Sequence, residues 1–288
     1  MSIIQICNIT KKFDTVVALN NVTLTLEENK IYGLLGRNGA GKSTLLNLMT
    51  NKLFPTEGSI TVDGDNVTEN DKTLSKIFCM SEQMLYPDGM KISEVFRWTK
   101  EFYPDFDLEY AQNLSKQFQL SPSKKIKSLS TGYKSIFKLV LALSCNAPIL
   151  LLDEPVLGLD ANHRDLFYKL LIQTYSERPC TIVISTHIIE EISDLIEQVI
   201  LIKNGAILFD KPTEELLAMG YAVSGKATAV DEYIKEKQVL SIDTLGGLKT
   251  AYLIGDNKTQ QIPTELEVSS LNLQKLFIQL TNDERGEI

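Results

Sequence analysis

The sequence predicts an α/β fold, a largely parallel sheet with helices between its strands, followed by a small α+β appendage. Three observations carry this reading. Short apolar runs at residues 30–35, 149–152 and 181–185 have strand length, and helix-like sequence follows each. Strands alternating with helices pair in parallel. Near Gly220 the pattern changes, and residues 221–288 offer strands at 239–242 and 251–254 and helices at 230–237 and 271–281.

Element by element, Ile3–Cys7 and Val22–Leu26 read as β-branched strands, the second in clean alternation. The run Ile31–Leu35 ends in a Gly-rich loop, and Ser43–Thr50 then takes a helical pattern. Gly58–Gly64 reads as a strand between turns. From about Ser93 to Leu143 the pattern is helical, broken at Pro104 and Pro122. The composition supports a sizeable core: 43% of the 288 residues are hydrophobic and 23% charged. A net charge of −8 disfavours nucleic acid as a partner. The longest apolar stretches, 139–145 and 148–152, fall short of the roughly 18–20 residues a membrane helix needs, so no direct membrane insertion is expected. The first ten residues lack a basic segment followed by an apolar one, so no signal peptide is read. Cys7, Cys79, Cys145 and Cys180 lie far apart and read as buried, reduced thiols of a cytosolic protein.

Two segments carry chemistry. Gly36-Arg37-Asn38-Gly39-Ala40-Gly41-Lys42-Ser43-Thr44 fits the pattern GxxxxGK[ST] between a strand and a helix. Its glycines let the backbone wrap phosphate oxygens, and the following helix presents its N-terminus to them. Lys42 can reach the β and γ phosphates, the Ser43 hydroxyl can ligate Mg²⁺, and Thr44 can support the α phosphate. The second segment, Ile149–Pro155, places Asp153 and Glu154 at the C-terminal end of a buried strand, where ligands bind in parallel sheets. Asp153 would hold Mg²⁺ and Glu154 would polarise the attacking water.

With these motifs in order, the chain resembles the ATP-binding cassette family from residue 3 to about residue 215. Leu129-Ser130-Thr131-Gly132-Tyr133 is similar to the family signature LSGGQ, with Thr131 in place of a Gly and Tyr133 in place of the Gln. Gly158-Leu159-Asp160 resembles the D-loop, and Ser185-Thr186-His187 the switch-histidine loop. Gln83 stands where the Q-loop glutamine is expected, touching metal and water, and Phe13 where an aromatic stacks on adenine. The resemblance implies a P-loop NTPase core of cassette type over residues 1–219, a helical subdomain at about 84–143, and an accessory or dimerisation domain at 220–288. It implies ATP and Mg²⁺ as cofactors, and catalytic roles for Glu154, His187 and Gln83.

It also implies a second ATPase subunit, expected to be an identical copy, whose γ-phosphate Ser130 and Gly132 would face. A transmembrane permease subunit would dock near Met84–Gly89, placing the chain on the cytoplasmic face of a bacterial membrane. The tail, with Tyr221–Gly225, Thr244–Gly247 and Ser270–Phe277, resembles that of export-type cassettes of bacitracin-resistance, acetoin-utilisation and phenol-soluble-modulin systems. Export of a peptide, antibiotic or other amphipathic compound is therefore expected. A solute importer's ATPase, or a cassette ATPase not tied to transport, stands as the alternative.

Overall fold

A computed structural model describes residues 3–255 and 262–281. The chain divides into two compact units. One comprises the chain up to His187 together with Ile200–Phe209, and the other comprises Ile188–Val199 and the chain from Asp210 onward.

The first unit is organised on a six-stranded sheet. Across it the order is Ala206–Pro212, Gln198–Lys203, Ile31–Leu35, Thr181–Thr186, Ile149–Asp153, Ile77–Met80. Ile31–Leu35 runs parallel to Thr181–Thr186, which runs parallel to Ile149–Asp153. Every residue of these three strands is buried. That burial on both faces explains why the sequence shows continuous apolar runs there and no alternation. A second sheet of four antiparallel strands has the order Val16–Leu26, Ile4–Phe13, Glu57–Val62, Asp65–Asn66. Its inward residues Ile4, Ile6, Leu24, Leu26, Ile60 and Val62 share one core with Leu34, Leu46, Ile149 and Ile202 of the first sheet's side.

Three helices fill the segment read as helical. Ile92–Phe102 starts where the Glu94 carboxylate accepts the Lys91 N–H at 2.7 Å. Asp107 caps Leu108–Gln117 by accepting the Tyr110 N–H at 2.8 Å. Ser130 caps Thr131–Ser144 by accepting the Tyr133 N–H at 3.3 Å. The last helix is buried over nine of its residues, so it is a central strut of the unit. Pro104 and Pro122 lie in the connections, as their missing N–H groups require.

The second unit holds a four-stranded antiparallel sheet, ordered Gln238–Leu245, Leu248–Ile254, Gly220–Lys226, Glu267–Ser270. Tyr221, Val223, Val230, Ala251, Leu253 and Leu266 form its core. The helix Leu273–Thr281 buries Leu273, Leu276 and Leu280, so its apolar stripe is covered within the chain. A Cβ on Gly220 would stand 2.9 Å from Leu276 Cδ1, which marks how closely helix and strand approach. Residues 188–199 and 210–219 join this unit too: Thr213 Oγ1 donates to Ile196 O at 2.7 Å, and its N–H donates to Glu197 O at 2.9 Å. Among the described residues no helix is long and apolar enough to cross a membrane.

Candidate active site

The parallel register delivers three segments to one sheet edge. Leu35 pairs with Thr186, and Asp153 with Ser185, so the loop Gly36–Thr44, the carboxylates Asp153 and Glu154, and His187 all emerge from the same strand ends. There Asn38–Thr44, Glu154 and His187, with Ala18, Glu82 and Leu157, line a cavity of about 410 Å³.

The loop is shaped by two left-handed glycines, Gly39 at φ 80° and Gly41 at φ 112°. Gly41 also needs to lack a side chain, because a Cβ there would meet Ala18 O at 2.8 Å. The helix Lys42–Met49 starts at Gly41 with no side-chain cap, so its first N–H groups face the cavity side unclaimed by a side chain. Lys42 is buried, and its ammonium donates to Gly36 O at 2.7 Å. Burial pushes its pKa below the ordinary lysine value, and the Glu154 and Asp153 carboxylates oppose that shift.

Glu154 sits in left-handed backbone at φ 47°, pinned by its N–H donating to Ser185 O at 2.8 Å. One oxygen of its carboxylate, Oε2, accepts from Thr186 Oγ1 at 3.2 Å. His187 Nδ1 lies 2.9 Å from the same oxygen, so the tautomer protonated on Nδ1 donates to it. Asp153 is 8% exposed, and its Oδ1 is buried without a hydrogen-bond partner among the described residues. Ser185 Oγ, across the strand pair, is in the same state. A buried, unpaired carboxylate oxygen is costly unless a cation or donor joins it.

The remaining expected residues lie off this cavity. Gln83 is exposed, and the residue that lines the cavity is its neighbour Glu82. The reason is a tight turn after strand Ile77–Met80. Ser81 Oγ donates to Gln83 O at 3.2 Å, and Lys138 Nζ donates to the carbonyls of Ser81 and Glu82, each at 2.8 Å. Gln83 lines a small adjoining pocket with Ser81, Tyr86 and Lys138. A lysine inside the apolar run Phe137-Lys138-Leu139 was the available signal for this tie. Phe13 is 42% exposed at the tip of the antiparallel sheet, with Lys11 Nζ 4.9 Å over its ring.

Ser130, Gly132 and Asp160 belong to a neighbouring patch. A Cβ on Gly132 would stand 2.8 Å from Gly158 O, so signature and D-loop segments touch within the chain. Asp160 caps the helix Ala161–Glu177, accepting the His163 N–H at 2.9 Å, and pairs with His163 Nδ1 at 2.8 Å. Those contacts, the backbone N–H foremost, hold its carboxyl below the usual aspartate range. Tyr86, within the segment Met84–Gly89, packs edge-on against Phe137 at 5.6 Å, and burial raises its phenol to about 12.

A phosphate-wrapping loop, a buried aspartate and a glutamate–histidine pair on one sheet edge define a nucleotide-hydrolysing cassette. Comparison with known proteins agrees. A family model described as "ABC transporter" matches residues 19–157. The ABC transporter ATP-binding protein YtrB of Bacillus subtilis is 29% identical over 96% of this chain and 97% of its own length. The ABC transporter ATP-binding protein NatA of the same organism is 32% identical over 71% of this chain and 86% of its own. A dimeric structure of the ATP-binding cassette MJ0796 bound to ADP and Pi superposes with TM-score 0.65 at 26% identity, covering 73% of this chain and 98% of that one. Bacitracin transport protein BcrA of Enterococcus faecalis and methionine import protein MetN 2 of Staphylococcus epidermidis are each 28% identical over 74% of this chain, and over 70% and 69% of theirs. The chain belongs to the ATP-binding cassette family: it is an ATP-binding, ATP-hydrolysing subunit of an ABC transporter.

Proposed function

We propose that this ATPase uses Glu154 to polarise the attacking water and that it powers export through a separate transmembrane subunit, working in a pair with a second copy. The observation that carries the chemistry is the Glu154 carboxylate held by Thr186 and His187 beside the phosphate loop. With one oxygen occupied by those donors, the other is directed to accept a proton from water. The backbone N–H groups of Asn38–Gly41 and of the first helical turn hold phosphate oxygens. Lys42 exchanges its bond to Gly36 O for the β and γ phosphates. Thr44 supports the α phosphate, and Phe13 offers its uncovered ring face to adenine.

The residues fit a hard divalent cation: Asp153 Oδ1 is buried without a partner among the described residues, its neighbour Glu154 lines the phosphate cavity, and Ser43 lines it too. Ser43 and Asp153 would hold Mg²⁺, with Gln83 in the Q-loop position and its neighbour Glu82 on the cavity wall, and the ion would draw charge from the transferring phosphoryl group. Ser130, Gly132 and Asp160 face the second copy, which completes each ATP site. His187 keeps Glu154 in register and reaches toward the γ-phosphate.

Leu85, Trp98 and Phe102 supply an apolar docking face for the permease subunit. They are 59%, 58% and 72% exposed, and Trp98 and Phe102 are one helical turn apart. On this reading the chain works at the cytoplasmic face of a bacterial membrane. Export rests on the resemblance of the tail to export-type cassettes, since the relatives named for bacitracin transport and methionine import match equally well. The test is purification from its own membranes in detergent. A multi-span subunit should accompany the cassette, and its removal should change the ATPase rate. A cassette found only apart from membranes would overturn the permease reading.

A further inference from the structure

Lys138 lies in the helix Thr131–Ser144, between the buried Phe137 and Leu139. Its ammonium reaches across to a distant stretch of chain and donates to two successive carbonyls, Ser81 O and Glu82 O, each at 2.8 Å. One turn earlier on the helix, Ser135 Oγ donates to Leu157 O at 2.8 Å. Glu82 and Leu157 both line the phosphate cavity. A single helix, whose first turn carries Ser130 and Gly132, thus grips both loops that wall the site. Burial lowers the pKa of the Lys138 ammonium, and the Glu82 and Asp153 carboxylates pull it back up, which places the cation among the site's anions.

We propose that Lys138 is a positioning residue for ATP hydrolysis: by holding the Ser81 and Glu82 carbonyls it keeps Glu82 at the cavity wall and makes that wall move with the helix that begins at Ser130. Lys138 is absent from the cavity lining, so it acts through the loop rather than on the nucleotide. Two good donor bonds from one ammonium to adjacent carbonyls fix a turn more tightly than neutral bonds would. A loop displaced by about an ångström costs roughly a hundredfold in rate without a matching loss of binding. This inference rests on the proposed roles of the site, and the test separates the two.

The experiment compares Lys138→Met, which keeps the apolar stem without donors, with Lys138→Arg, which restores them, in the full chain. Lys138→Met is expected to lower kcat roughly ten- to a hundredfold with KM changed by less than about twofold, and Lys138→Arg to recover most of the loss. Independently of turnover, amide hydrogen exchange at residues 81–86 should quicken about tenfold or more in Lys138→Met, while the strand Ile149–Asp153 stays as protected as in the wild type. Exchange at 81–86 unchanged in Lys138→Met, kcat within about twofold of wild type, or an Arg variant as slow as the Met variant would overturn the proposal. Since exchange needs no catalysis, a wild-type chain without the proposed Glu154 chemistry would leave this arm readable.

Discussion

Replacing Gly41 and Gly39 one at a time by alanine separates backbone strain from packing in the phosphate loop. Both residues are left-handed, at φ 112° and 80°. Holding an alanine in such backbone costs about 1–3 kcal/mol at either position. The surroundings differ. A Cβ at Gly41 would meet Ala18 O and Leu19 Cδ2 at 2.8 Å each and Ile202 Cδ1 at 3.2 Å, whereas nothing lies within 4 Å of one at Gly39. Overpacking against backbone adds about 1–3 kcal/mol at Gly41 alone. Gly41→Ala should therefore destabilise by about 2–6 kcal/mol and Gly39→Ala by about 1–3 kcal/mol. Out of a typical stability of about 5–15 kcal/mol, the first is close to loss of the fold. Urea unfolding followed at Trp98, the single tryptophan, reads the first unit directly. ATP affinity should fall about tenfold or more in Gly41→Ala, because the N–H groups that open the helix shift with the loop. Equal destabilisation of the two variants, or a Gly41→Ala chain as stable as wild type, would refute the packing argument.

Lys42→Ala removes a charge-assisted contact worth about 1.5–3 kcal/mol, so calorimetry should show ATP binding about ten- to a hundredfold weaker. Gly132→Ala should impair the chain carrying it as well as its partner. The new Cβ stands 2.8 Å from Gly158 O, and unfolding should reveal about 1–3 kcal/mol lost in the monomer, against none if the residue serves the partner only. Burial raises the thiols of Cys79 and Cys180 to about 11, while Cys7 is exposed. Alkylation of the folded chain near pH 8 should therefore mark Cys7 first and the other two only on unfolding. A thiol whose folded pKa is raised adds stability below its unfolded value of 9.0 and loses it as pH climbs toward 11. Cys79 and Cys180 should accordingly lower the urea midpoint across that window, and the fall should be smaller in a Cys79→Ala, Cys180→Ala chain.

Much of the first unit was legible because its signals are local. The strands Ile31–Leu35, Ile149–Asp153 and Thr181–Thr186 are largely apolar runs, and chemistry-bearing residues follow at their ends: the Gly-rich loop, the carboxylates Asp153 and Glu154, and His187. Gly220–Lys226 was harder to read. Gly-flanked Tyr221–Gly225 has little β signal of its own and becomes a central strand only because its two neighbours pair with it. The hairpin Gln198–Lys203 and Ala206–Pro212 does carry a local signal, the apolar run Val199–Ile202 before the turn Asn204-Gly205, both residues left-handed, whereas the joining of Ile188–Val199 to the second unit has none. Gln83 shows the limit of spacing arguments in a site. Glu82 lines the cavity, and the cation that holds its carbonyl, Lys138, lies more than fifty residues away, so no local pattern carries that contact.

Glu154, held by Thr186 and His187, is the proposed activator of the water that attacks ATP. Glu154→Gln keeps the side chain's shape and an acceptor for Thr186, but it cannot take up a proton. Steady-state hydrolysis measured beside ATP affinity tests the claim most directly. Turnover should fall about a hundredfold to ten-thousandfold, the usual worth of a general base, with ATP binding preserved and ATP-bound dimers accumulating on size-exclusion chromatography. A Glu154→Gln chain that hydrolyses ATP at close to the wild-type rate would contradict the account.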